Sequence, residues 1–201
     1  MTVSRRLSIG VGAAALGVAG ALGVAAFGLP SGDTTAHAAP AALHAAAQPA
    51  AQDVSAAAAP ISRRSVILRA NTWHPHSKNR IPYSQKKYHG GYRTDCSGYV
   101  SMALGLSKPG PNTVALASRT YSNRIRRMSG LLKGDLVIDS TGNNNTRHVV
   151  IFEKWVRNSK GKIVGYWAYE QRGHYGTDHR ILTYGLSKGS QYHPYRPKNI
   201  R

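Results

Sequence analysis

From Leu131 to the end of the chain, short β-rich runs alternate with clusters of turn-forming residues. Leu136 to Asp139 gives way to Gly142-Asn143-Asn144-Asn145, and His148 to Val156 to Asn158-Ser159-Lys160-Gly161-Lys162. Ile163 to Gln171 is followed by Arg172-Gly173-His174-Tyr175-Gly176, and Arg180 to Tyr184 forms the last run. Runs this short, joined by turns this tight, predict antiparallel strands in a hairpin meander. The earlier half reads differently. Ile61, Val66, Ile67, Leu68, Ala70 and Trp73 have helical spacing, and Pro75 disfavours helix at the residue before it. An extended piece follows at Ile81 to Gln85, then a basic loop through Gly90-Gly91. A second helix is expected from Cys96 to about Leu106, and a shorter helical stretch over residues 112–127. Helices first and strands afterwards predict an α+β domain, with the helices on one face of the sheet.

The region upstream of this domain has another texture. Arg5-Arg6 precedes an uncharged apolar run over residues 9–29, and Ala36-His37-Ala38 is a small-x-small cleavage signal. Residues 1–38 therefore read as a signal peptide, with a partial likeness to a twin-arginine signal and no lasting membrane insertion after cleavage. Residues 39–60, mostly Ala, Pro and Gln, cannot build a core and read as a linker. The folded unit is expected over residues 61–201.

The chain holds one cysteine, Cys96, which excludes an intrachain disulfide framework and any multi-cysteine zinc site. The residue pair His74-x-His76 spans a proline and lacks an evident third ligand, so neither a metal nor another cofactor is expected. Cys96 opens its predicted helix, where backbone N–H groups and the helix dipole favour a thiolate. A nucleophilic thiol needs a base, and the base needs an orienting group. Among the nine histidines only His148 begins a strongly apolar strand, a rigid platform for a base. His74, His76, His89, His174, His179 and His193 sit in turns, beside prolines or in basic loops. Carboxylates are scarce. Asp95, Asp135 and Asp139 adjoin turns or the cysteine, and Glu153 falls on the face of its strand opposite His148. Glu170, on the next strand, can lie beside His148, but a shift of one residue in register would bring Gln171 there instead. Glu170 is taken as the third position, with Gln171 as the alternative.

The blocks Ile81-Pro82-Tyr83, Asp95-Cys96-Ser97-Gly98-Tyr99-Val100, Lys133-Gly134-Asp135-Leu136-Val137 and His148-Val149-Val150-Ile151-Phe152 occur in an order that resembles the NlpC-type family of bacterial cell-wall cysteine peptidases. That resemblance implies a papain-like α+β core, Cys96 as nucleophile, His148 as base and Glu170 or Gln171 as third member. It also implies Tyr83 as a group beside the cysteine that contacts substrate or oxyanion, and hydrolysis of an amide in peptidoglycan stem peptides. The family commonly has histidine at the third position, and none lies between Ile163 and Gln171. The stretch Gln85 to Gly91 is longer and more basic than the family pattern.

Lys and Arg number 27 against 8 Asp and Glu, a net charge of +19. Such a balance predicts an anionic partner. Export argues against nucleic acid and for peptidoglycan and anionic wall polymers. The expected protein is a secreted, wall-associated monomer.

Overall fold

A computed structural model describes residues 58–201, so the expected signal peptide and most of the expected linker lie outside the described residues. The described chain is α+β. Helix α1 spans Arg63–Asn71 and is started by Ser62, whose hydroxyl accepts from the Ser65 N–H at 3.0 Å. It stops at Asn71, two residues short of Trp73, which packs into the core as part of a turn. Strands β1 (Ser84–His89) and β2 (Tyr92–Thr94) form a two-stranded hairpin where a basic loop was expected, turning on Gly90 and Gly91, both with positive φ. Helix α2, Cys96–Leu104, is buried along all nine residues and ends at Gly105, φ 68°, in the left-handed conformation a glycine C-cap supplies.

The helical stretch expected over 112–127 shrinks to one turn, α3 (Thr113–Leu116). Its successor, β3 (Ser122–Arg124), joins the sheet instead, followed by a 3-10 turn at Met128–Gly130. The reason is tertiary. Strand β8 (His193–Pro197) offers β3 a ladder, Ser122 opposite Pro197 and Arg124 opposite Tyr195. Strand β8 itself hides behind Pro194 and Pro197, which lack the N–H that a central strand uses.

The remaining strands are β4 (Leu136–Asp139), β5 (His148–Arg157), β6 (Ile163–Arg172) and β7 (Gly176–Leu182). The last begins four residues earlier than expected. With β3 and β8 they form one antiparallel sheet of six strands in the order β3-β8-β4-β5-β6-β7. The expected meander is its β4-to-β7 portion, and β8 returns to lie beside β4.

Alternation divides the sheet's two faces cleanly. Leu136, Ile138, Val149, Ile151, Tyr169 and Tyr195 pack against α1 and α2. Val137, Val150, Phe152, Tyr166, Ala168 and Leu182 pack under Leu131, Met128, Tyr184 and Tyr192. The helices thus cover one face and loops the other. Asp135, fully buried, ties three parts together: it accepts from Arg63 of α1 at 2.8 Å, from Arg196 of β8 at 2.9 Å and from the Leu132 N–H at 2.9 Å. The Gly134-Asp135 block is therefore an anchor that seats α1 against the sheet.

Candidate active site

The start of α2 is built by its own first residues. Asp95 is the N-cap: one carboxylate oxygen accepts from the Gly98 N–H at 2.6 Å and from the Ser97 hydroxyl at 3.0 Å, the other from Arg93 at 2.9 Å. Gly98 is required because a Cβ there would run into the Arg93 carbonyl. Asp95, weighed as an orienting group, is thus spent on fixing the backbone that carries Cys96. The Cys96 sulfur is 3.8 Å from the Thr113 hydroxyl, so α3 closes one side of the thiol.

His148 enters from the first position of β5 and Glu170 from β6. The pair Ile151 and Tyr169 are cross-strand partners. Extending that register by one residue puts Val150 beside Glu170, and His148 is the next residue along the same face. His148 Nε2 and Glu170 Oε2 are 2.8 Å apart. The other nitrogen, Nδ1, has no hydrogen-bond partner among the described residues, and the Cys96 sulfur lies near enough to raise the ring's pKa. Tyr184 stands edge-on to the imidazole at 6.1 Å and stacks on Tyr192 at 4.5 Å.

The electrostatics follow from what surrounds each group. Burial would push the His148 pKa down. The Cys96 sulfur and the Glu170 carboxylate outweigh it and raise the pKa to about 9. The ring is therefore an imidazolium at neutral pH. Glu170 has no solvent exposure, and burial alone would raise its pKa. Hydrogen bonds and charge from His148 and Arg180 reverse that, and the carboxyl sits below its ordinary range. Arg180 Nε lies 2.5 Å from Glu170 Oε1, and its guanidinium also reaches the Tyr184 hydroxyl at 3.3 Å. The result is a line running Arg180, Glu170, His148 and the Cys96 sulfur, in which the first three alternate in charge.

Arg180 is the member that sequence reasoning missed. The signal was there: the tight β6–β7 hairpin pairs Ala168 with Arg180, which sets Arg180 diagonal to Glu170 on one face.

Gln171 does not compete for His148. Register puts its side chain on the helical face with Tyr169, where its amide donates to the Ile81 carbonyl at 3.1 Å and the Thr94 carbonyl at 3.0 Å. Its carbonyl oxygen is buried without a partner, an arrangement that costs about 1–3 kcal/mol.

The other candidates have separate work. Asp139 accepts from the Thr141 N–H at 2.9 Å and from its hydroxyl at 2.5 Å. Glu153, beside a bulge in β5, pairs with His179 at 3.0 Å. His76 bonds Asp178 at 2.8 Å. Contrary to expectation, His89 and His179 lie within strands, and His193, beside Pro194, opens β8.

Tyr83 lines one cleft with Cys96, a space of about 220 Å³ that also takes in Gln85, Asn112, Thr113, Asn144 and two arginines. Partial burial raises the Tyr83 pKa, so it is a phenol that can donate. The two guanidinium groups are not equivalent. Arg93 is spent inward on Asp95, Ser97 and the carbonyls of Gly110 and Pro111. Arg147 touches the Asn144 side chain and has no carboxylate partner among the described residues. The cleft thus presents a thiol, a phenol and one unspent cation, with His148 next to the sulfur. No family model matches the chain, and neither a curated protein nor a solved structure matches it.

Proposed function

We propose that this protein is an exported cysteine peptidase or amidase, papain-like in arrangement, that hydrolyses an amide in peptidoglycan stem peptides. The observation that carries the reading is the Cys96, His148 and Glu170 relay, with Nε2 of the imidazole held at 2.8 Å by a buried carboxylate. A scaffold that only binds has no use for a buried charged histidine beside its single thiol.

The steps follow from the residues. Cys96, as thiolate, attacks the amide carbonyl to give a tetrahedral oxyanion. The Cys96 N–H, at the first position of α2 where no helical acceptor exists, donates to that oxyanion, and the Tyr83 hydroxyl donates from across the cleft. The His148 imidazolium gives its proton to the departing amine as the C–N bond breaks, leaving a thioester. Neutral His148 then takes a proton from water, whose oxygen attacks the thioester, and the acid leaves as the Cys96 thiolate and the imidazolium are restored. Glu170 holds the ring orientation throughout, and Arg180 keeps Glu170 ionised.

The substrate class agrees with the charge. Stem peptides carry carboxylates, which suit Arg147, and wall polymers carry phosphates or acids, which suit a chain of net charge +19. Residues 1–38 direct export and are removed, and the mature protein works on the wall as a monomer, without a metal.

The test is incubation of the mature domain with purified peptidoglycan beside its Cys96→Ala variant, with new amino termini read by mass spectrometry. Termini released by the wild type alone support the peptidase. Wall binding by both with release by neither sinks it and leaves a binding protein.

A further inference from the structure

The Ile81 carbonyl is an unusual junction. It accepts from Gln171 Nε2 at 3.1 Å, from the Thr177 N–H at 3.0 Å and from the Thr177 hydroxyl at 3.3 Å. Gln171 and Thr177 are cross-strand partners in β6 and β7, so one rung of the sheet grips one carbonyl. The same Gln171 amide reaches the Thr94 carbonyl at 3.0 Å. The two carbonyls occupy matching places in their segments. Ile81 is two residues before Tyr83, and Thr94 is two residues before Cys96. Between Ile81 and Tyr83 stands Pro82, whose ring fixes φ and passes the restraint on stiffly. After Thr94 comes Asp95, the residue that starts α2.

Packing alone does not account for this side chain. Gln171 is fully buried, and its amide oxygen has no partner. An apolar side chain of equal length would fill the space without stranding a polar atom. What it would lose is the two donors, and both are spent across the cleft's two walls.

We infer that Gln171 is a positioning residue which sets the Tyr83 hydroxyl against the Cys96 backbone, so that both donors meet one oxyanion. It touches neither substrate nor the reacting atoms. This rests on the peptidase reading for its consequence in catalysis, and on the hydrogen bonds alone for the clamp.

The variant to make is Gln171→Met, which keeps the volume and removes both donors. Two readouts decide the matter. The first is amide hydrogen exchange at Ile81, Tyr83 and Ser84. Rates about tenfold faster, with Gly98 to Leu104 unchanged, support the clamp. Rates equal to wild type overturn it. The second is turnover of a purified stem-peptide fragment. The expected loss is about 10²-fold in kcat, the scale of a small misplacement of a catalytic group, with KM nearly unchanged. The double variant with Tyr83→Phe should then be no slower than Tyr83→Phe alone. Losses that multiply would show two independent effects and overturn the positioning role. If Gln171→Met does not fold, Thr177→Val takes its place. It strips one donor from the same carbonyl, and both readouts must move the same way by a smaller amount; no movement overturns the inference. Absence of turnover in the wild type sinks the peptidase reading and the catalytic role with it, while the exchange rates still decide the clamp.

Discussion

His148 owes its charge to its neighbours, and each neighbour can be removed singly. Glu170→Gln keeps an oxygen near Nε2 and removes the negative charge. The His148 pKa should fall from about 9 toward its ordinary 6.5, read by NMR titration of the ring. kcat should drop by about 10²-fold or more, since a neutral amide does not hold an imidazolium as a carboxylate does. The alkaline limit of activity should move to lower pH together with the ring. Replacing Arg147 by Gln should lower kcat/KM on stem peptides by about tenfold, if one charge-assisted pair with a substrate carboxylate is lost. At this scale the sequence was readable where chemistry dictates residue type. The single cysteine at the start of a helix, a histidine opening an apolar strand and a carboxylate one strand over are brought side by side. Glu170 was preferred over Gln171 from the sequence, but the register that brings it to His148 is set only by the fold. Arg180 escaped for a similar reason: without the β6–β7 pairing it is one arginine among many.

At the scale of elements, two short blocks carry more of the fold than their length suggests. In Asp95-Cys96-Ser97-Gly98 the aspartate caps the helix and the glycine admits the Arg93 carbonyl. Gly98→Ala should destabilise by about 1–3 kcal/mol through overpacking, measured by denaturant midpoint, and should slow alkylation of Cys96 only if the helix start shifts. Asp135→Ala should cost about 3 kcal/mol, because Arg63 and Arg196 lose the buried anion that joins α1 to β8; the same denaturant series checks it. The long strands were legible from their β-rich runs and the turn clusters between them, and α2 from the segment that Cys96 opens. The hairpin β1–β2, the edge strand β3 and the proline-bounded β8 were not. Each is a strand because a neighbour offers it hydrogen bonds, and their own residues say little of it.

Across the whole molecule, the buried charges set a window of pH. His148 has a folded pKa raised from 6.5 to about 9, so its stabilising contribution is full below 6.5 and is lost as pH rises through 9. Glu170 has a folded pKa below 4.5, so its contribution is full above 4.5 and is lost as pH falls. The Tm should be highest between these limits, and His148→Asn should flatten the alkaline side, as read by thermal melts across pH. A second feature acts at this scale. Asp95, Asp135, Asp139, Glu153, Glu170 and Asp178 are the acidic side chains of residues 58–201, and none is exposed. Asp95, Asp135, Glu170 and Asp178 each pair with an arginine, and Glu153 bonds His179. Among residues 58–201 the exposed charged side chains are therefore basic, with Asp95 and Glu153 only partly reaching solvent. Toward a polyanionic matrix the molecule behaves as a polyvalent counterion. It would partition into such a matrix by displacing small cations, and its residence there would be set by ionic strength more than by shape. If the cleft cuts bonds in that matrix, as proposed, the outside of the protein would set how many of them it meets before it leaves.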